Sequence, residues 1–213
     1  MEIVERYKER ILSLDSGLPV VWNSWLDRIR DLSSIKLILC GDNPGESERR
    51  DGIYLSPNGR CGKIAANFFA GLGLKLHEDI AVLNKTPLST PRTSHLGRHP
   101  ENFELSQSIM ADFALDLLNA CGENGQDTEL WIMGASKKNF EGTHPLFGRY
   151  KDVIMRKKNE KSWDRIFCYC HFSCGRFHNE LYGYAGKGKM MTKEELRRIL
   201  NQIGTSRKNR FFR

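Results

Sequence analysis

Three short polar clusters in this chain carry groups able to hold a water, read a hydrogen-bonding edge or stabilise an anion. The first is Gly41-Asp42-Asn43-Pro44-Gly45, where the apolar run Ile38-Leu39-Cys40 stops abruptly. Pro44 fixes φ and removes a backbone donor, while Gly45 accepts conformations closed to other residues, so the turn has a specified shape. The second is Asn84, which closes the run Ile80 to Leu83, and the third is His171-Phe172-Ser173, which follows Ile166 to Cys170. The two amides both donate and accept, the Asp42 carboxylate only accepts, and the His171 imidazole titrates near neutral pH. Each has a plainer reading by itself. Asn43 shapes a turn beside proline and glycine, Asn84 caps a loop through its own backbone, and His171 is a satisfied core histidine, with His144-Pro145 as a rival.

The elements that position these clusters follow from periodicity. Apolar residues every three or four positions predict helices from Glu2 to about Leu14, Val21 to Leu32, Lys63 to Leu74, and Phe103 to Cys121, with a basic helical stretch from Arg149 to Lys158. Compact apolar runs predict strands at Ile35–Cys40, Asp79–Leu83, Glu129–Met133 and Asp164–Cys170. Thr192-Lys193-Glu194-Glu195 has the capping-box pattern of a final helix, and the basic, aromatic tail from Ser206 to Arg213 reads as disordered or as brushing a phosphate backbone. Strands alternating with helices imply a three-layer α/β/α sandwich with a mainly parallel four-stranded central sheet, built as a single domain over residues 1–213. In such a sheet the crevice beyond the carboxyl ends of the strands is where ligands bind, and all three polar clusters fall there.

Composition narrows the partners. The formal charge is +7 over 213 residues, which favours an anionic partner, nucleic acid first. No apolar run approaches the roughly 20 residues needed to span a bilayer, and the first residues read as an amphipathic helix, so an intracellular protein is expected, cytoplasmic if bacterial and nuclear if eukaryotic. The six cysteines lack the spacing of a disulfide scaffold. Cys168-Tyr169-Cys170 would point both thiols to one face of a strand, with no second ligand pair at a zinc-site separation, so neither metal nor cofactor is expected. There is no phosphate-cradling glycine loop, and Cys174 lacks the flanking glycines of a nucleophile elbow, although a hydrolase using Cys174 and His171 is an alternative.

Taken together, the clusters resemble the motifs of the uracil-DNA glycosylase superfamily. Gly41-Asp42-Asn43-Pro44-Gly45 is similar to its first motif, closest to the Gly-x-Asn-Pro-Gly form of the mismatch-specific and single-strand-selective classes. Leu83-Asn84-Lys85-Thr86-Pro87-Leu88 resembles the segment carrying the uracil-reading asparagine, Leu130 to Ser136 the third strand with its glycine, and His171-Phe172-Ser173 the usual His-Pro-Ser. The resemblance runs from Ile35 to Phe177. Phe172 departs from the proline of that motif, and Gly45 stands where the classical class has a tyrosine that blocks the thymine methyl.

The resemblance implies a monomeric enzyme that binds DNA containing uracil or another deaminated base, flips the base out and hydrolyses its N-glycosidic bond, leaving an abasic site for base excision repair. It implies that Asn43 positions the attacking water, that His171 donates to the uracil O2, and that Asp42 acts electrostatically or on the base. Gly41, Pro44, Gly45 and Ser173 would line the substrate, Asn84 would read N3–H and O4, and Tyr54 or Leu55 would form the pocket floor. Arg60, Lys63, Lys85, Ser89, Arg92, Arg98 and Arg176 are the implied DNA-backbone contacts, with Phe177, Phe172 or Arg176 as the wedge that fills the gap in the stack. The rival from another class is a non-catalytic DNA- or nucleobase-binding protein on the same fold, suggested by Phe172.

Overall fold

The computed structural model describes residues 2–98, 100–172, 175–186 and 191–213, with side chains described from residue 102 onward in the segment that starts at 100. Helix α1 (Glu2–Leu12) leads through an irregular segment to β1 (Leu37–Gly41), then α2 (Glu46–Asp51), α3 (Arg60–Gly71) and β2 (Ile80–Asn84). The long α4 (Pro100–Glu123) precedes β3 (Glu129–Ile132), α5 (Lys137–Phe140), α6 (Gly148–Lys157), α7 (Glu160–Asp164) and β4 (Ile166–Cys168). Helices α8 (Arg176–Ala185) and α9 (Lys193–Phe211) follow.

The four strands are all parallel in the order β2-β1-β3-β4, and helices cover both faces, which makes the fold a three-layer α/β/α sandwich. Side-chain alternation along each strand divides the core in two. Ile38 and Cys40 of β1 join Ala81, Leu83, Leu130, Ile132, Ile166 and Cys168 against α1, α4 and α6. Leu37 and Leu39 join Ile80, Val82, Trp131, Met133 and Phe167 against α3, α8 and α9. Every residue of β1 and β2 is buried, so neither strand can carry a polar side chain until its last residue. The chain leaves β1 towards β2 on one side and returns through α4 to β3 on the other. This reversal opens a crevice between the carboxyl ends of β1 and β3.

Several sequence expectations change. The segment from Val21 to Leu32 is not an α-helix but two 3-10 turns, Leu26–Arg28 and Leu32–Ser34. Its helical spacing is overridden by buried Asn23, whose side chain donates to the Val82 carbonyl at 2.9 Å, and by Val20 pairing with Leu88. The fourth strand is shorter than expected at both ends: Asp164 belongs to the helix Glu160–Asp164 under an Asn159 cap, and the regular strand stops at Cys168. Cys168 and Cys170 pack in opposite core clusters, since the regular strand ends between them.

The capping box at Thr192 forms, with Glu195 N–H donating to Thr192 Oγ1 and Thr192 N–H to Glu195 Oε2. Contrary to a disordered tail, α9 continues to Phe211, and Phe211 and Phe212 are each 2 % exposed. Phe212 crosses to the first core cluster, its ring 5.0 Å from that of Phe140. Phe212→Ala is therefore expected to cost about 3 kcal/mol of unfolding free energy in a urea titration, where removal of a side chain from a free tail would leave the midpoint unchanged.

Candidate active site

Close approach of the strand ends comes first. At Gly41 a Cβ would collide with Asn84 Oδ1, and at Gly134 one would collide with Asp42 Oδ1. Gly134 also has φ +70°, a left-handed conformation that suits glycine. Two missing side chains thus let the ends of β1, β2 and β3 converge.

Lys85 occupies the space between them. Its side chain is fully buried, and its ammonium donates to Asp42 Oδ1 at 2.5 Å, the Met133 carbonyl at 2.6 Å and the Gly41 carbonyl at 3.2 Å. The rings of Phe147 and Phe140 stand 4.9 and 5.6 Å from it. Asn139 Nδ2 donates to the Gly134 carbonyl at 2.7 Å and lies 3.5 Å from Asp42 Oδ1. The implied role of Lys85 as a DNA-backbone contact is corrected: a lysine with no exposed surface reaches no phosphate, and its charge is spent on Asp42.

Asn43 is oriented by the loop after β2. Thr93 Oγ1 donates to its Oδ1 at 2.7 Å, and its Nδ2 donates to Thr90 Oγ1 at 3.3 Å and the Pro44 carbonyl at 3.2 Å. The carboxamide oxygen retains a lone pair for a further donor. Asn84 is 4 % exposed, and its Nδ2 is buried with no hydrogen-bond partner. An unmet buried donor costs about 1–3 kcal/mol, a cost that an acceptor brought to Nδ2 would recover.

Glu48 fixes the other side of the turn. Its Oε2 accepts from Gly45 N–H at 2.7 Å and its Oε1 from Leu55 N–H at 2.5 Å, holding Leu55 at φ +49°. Burial pushes the Glu48 carboxyl up, and the two N–H donors oppose that rise. Tyr54 lies one residue away, 1 % exposed, with its hydroxyl donating to the Val21 carbonyl. Pro44 is buried and Gly45 half-buried beside them.

His171 closes the crevice from the β4 side. It is half-buried and interacts electrostatically with both Asp42 and Lys85. Burial lowers its pKa, Lys85 lowers it further and Asp42 opposes, so the imidazole is held neutral near neutral pH. Phe172 is 1 % exposed and packs against Phe68, Phe69 and Phe177. This ring cluster anchors the residue after His171, the position where proline was expected.

Asp42, Asn43, Asn84 and His171 therefore all stand at the carboxyl edge of the sheet, with Asp42 close enough to His171 to act on it. Of the other expected residues, Arg60, Lys63, Arg92, Arg98 and Arg176 are exposed, and Ser173 lies outside the described residues. Phe177 is 2 % exposed and Phe172 is buried beside it, so neither is a free wedge. Ser89 is 5 % exposed, with its N–H donating to the Pro19 carbonyl, and is no surface phosphate contact. His144 is exposed in a separate cleft of about 470 Å³ with Gly97 and Arg149, away from Asp42. A further cleft of about 340 Å³, lined by Lys36, Glu129 and Arg197, opens at the opposite, amino-terminal edge of the sheet.

Sequence reasoning missed Lys85 as the partner of Asp42, Thr90 and Thr93 as the holders of Asn43, Asn139 and Glu48. It also missed Lys137 and Lys138, exposed at the start of α5 just beyond the carboxyl end of β3. Only Lys85 carried a signal, namely its position directly after an apolar strand and before buried Thr86 to Leu88.

The sequence matches no protein-family model, and no curated protein is significantly similar to it. Among the described residues no helix is long and apolar enough to cross a membrane, and no group of histidine, cysteine and carboxylate side chains is placed to hold a metal ion. The close packing at Gly134 gives a direct test. Gly134→Ala introduces both a strained φ and a collision with Asp42, and is expected to lower unfolding free energy by about 1–3 kcal/mol. Gly125→Ala, also at positive φ but with open space around it, isolates the backbone share of that cost in the same denaturation experiment.

Proposed function

We propose that the protein is a DNA glycosylase of the uracil-DNA glycosylase type, hydrolysing the N-glycosidic bond of uracil or a related deaminated base. The observation that carries this reading is the buried Asn84 amide with an unmet Nδ2 donor, at the same carboxyl edge of the sheet as Asn43 and His171. A flipped uracil supplies an acceptor at O4 for Nδ2 and a donor at N3 for the carboxamide oxygen. Cytosine presents an amine where uracil has O4, which would leave Nδ2 unsatisfied.

Asn43, held by Thr93 and Thr90, orients the water with its remaining lone pair. An amide is too weak a base to deprotonate water fully, so the bond to the base breaks ahead of attack, through an oxocarbenium-like transition state. Negative charge then develops on the base, and a neutral His171 donates a hydrogen bond to O2 as it forms. Asp42 is compensated by Lys85, so it shapes the crevice with little net charge facing the sugar cation. Exposed Arg60, Lys63, Arg92, Arg98, Arg176, Lys137 and Lys138 supply the cations for the phosphate backbone.

One observation favours the binding-only alternative. All the hydrogen-bonding described for Asn43 is internal, which also suits a residue that merely fixes the turn. Incubation with uracil-containing single- and double-stranded oligonucleotides, followed by alkali, separates the two. Strand breakage at uracil is expected, and Asn43→Ala and His171→Ala are each expected to lower kcat by about 10²–10³. Tight binding with no breakage at any deaminated base, unchanged by Asn43→Ala, would support the binding protein instead.

The pH profile follows from the lowered His171 pKa. Activity stays on its plateau as pH falls through the ordinary histidine value of about 6.5 and drops only below it. The stability contribution has the matching sign: it is full above about pH 6.5 and declines below, because the unfolded chain takes up the proton first. His171→Gln should remove that acid limb from the kcat profile.

A further inference from the structure

We infer that Lys85 is the positioning residue of this crevice: its ammonium ties the carboxyl ends of three strands together and holds the Asp42 carboxylate oriented and charge-compensated beside His171. The catalytic part of the inference rests on the glycosylase reading, whereas the tie itself does not.

The geometry leaves one role for this side chain. Lys85 directly follows β2, continues its pairing with β1 by donating its backbone N–H to the Gly41 carbonyl at 3.0 Å, and then turns its side chain across to β3. An ammonium has three N–H donors. All three are used, one on the β1 carbonyl of Gly41, one on Met133 directly beyond β3, and one on Asp42. Phe140 and Phe147 cover what remains. Burying a lysine is costly, and a buried ion pair is often replaceable by apolar residues with no loss of stability. Geometry, not stability, is the natural reason to retain one at a site where Asp42 must stand against Gly134 and His171.

Two other roles fit worse. A nucleophilic lysine, forming a Schiff base with the sugar, needs a free amine lone pair and access to C1′. Here the nitrogen carries three donated hydrogen bonds and has no exposed surface. A purely structural lysine would tolerate loss of its charge together with that of Asp42, and kcat would stay at the wild-type value.

The groups facing this cluster limit what a pH experiment reads. Asp42 and Lys85 are the charges that act on His171. Behind them Cys40 and Cys168 are pushed up by burial to about 11 and about 12, and Tyr150, whose hydroxyl reaches Cys40 Sγ, is pushed up as well. These three stay neutral through the range in which histidine titrates. Arg207, which donates to Glu180 and to the Ala135 carbonyl, stays protonated there too.

The test compares the wild type, Lys85→Met and the double variant Asp42→Asn/Lys85→Met in the full chain. The His171 imidazole is titrated by NMR, and kcat and KM are measured on a uracil-containing oligonucleotide. Lys85→Met is expected to raise the His171 midpoint, because Asp42 then acts unopposed, and to lower kcat at least tenfold with KM within about twofold. The double variant buries no uncompensated charge, so it remains available if the single variant does not fold. It should return the His171 midpoint towards the wild-type value while kcat stays low, since the ties to Gly41 and Met133 are still missing. A double variant with wild-type kcat, or a single variant with an unmoved His171 midpoint, would overturn the inference. So would a covalent adduct with DNA trapped by borohydride on wild type and lost in Lys85→Met. If the wild type cleaves no uracil, the glycosylase reading fails, and the His171 titration still decides whether Lys85 holds the crevice.

Discussion

A parallel sheet buried on both faces delivers all of its carboxyl ends to one edge, and the rest of this molecule depends on that constraint. Strands as apolar as Leu37–Gly41 and Ile80–Asn84 leave no place for a polar side chain along their length. Asp42, Asn84 and His171 therefore gather where the strands run out, although far apart in sequence. The order β2-β1-β3-β4 adds the crevice, since the connections leaving β1 and β3 diverge. Gly41 and Gly134 then let the Asn84 amide and the Asp42 carboxylate pack directly against the neighbouring strand ends.

The electrostatics of that surface are more restrained than its residues suggest. A carboxylate, an ammonium and an imidazole stand together, yet the first two compensate each other and the third is neutral. What the crevice offers a ligand is hydrogen-bonding direction without much net charge. That suits a planar, uncharged heterocycle with alternating donors and acceptors better than a phosphate or a carboxylic acid. The net positive charge of the chain sits outside, on exposed side chains such as Arg60, Lys63, Lys137 and Arg176. The exposed cations and the charge-compensated strand ends thereby form different layers of the same edge.

Much of this was legible in the sequence because it is local. An apolar run that breaks into Gly-Asp-Asn-Pro-Gly announces a buried strand and a shaped turn, and periodic apolar residues announce α1, α3 and α4. What escaped depends on partners distant in sequence. Val21–Leu32 has helical spacing, but Asn23 finds the Val82 carbonyl, and that bond outweighs a modest helical preference. Lys85 looks like any surface cation until three acceptors surround it. The region from Ser206 onward is dense in charge, yet Arg207 reaches Ala135 and Glu180, Lys208 donates to the Trp163 carbonyl at 2.7 Å, and Phe211 and Phe212 are buried. Tyr54 was placed at the floor of a pocket, and the structure shows its ring packed with Phe69 and Leu39 in one cluster, its hydroxyl bound to Val21.

The path of α9 has a consequence for how the crevice comes into being during synthesis. Arg207 braces the Ala135 carbonyl just past Gly134, and Phe212 packs on Phe140, the last residue of the helix that carries Asn139. Residues 134–140, which shape one wall of the crevice, are thus supported by side chains that emerge about seventy residues later in translation, long after β1, β2 and β3 have left the ribosome. A nascent chain can assemble its first three strands early, but the wall formed by residues 134–140 waits for Arg207 and Phe212.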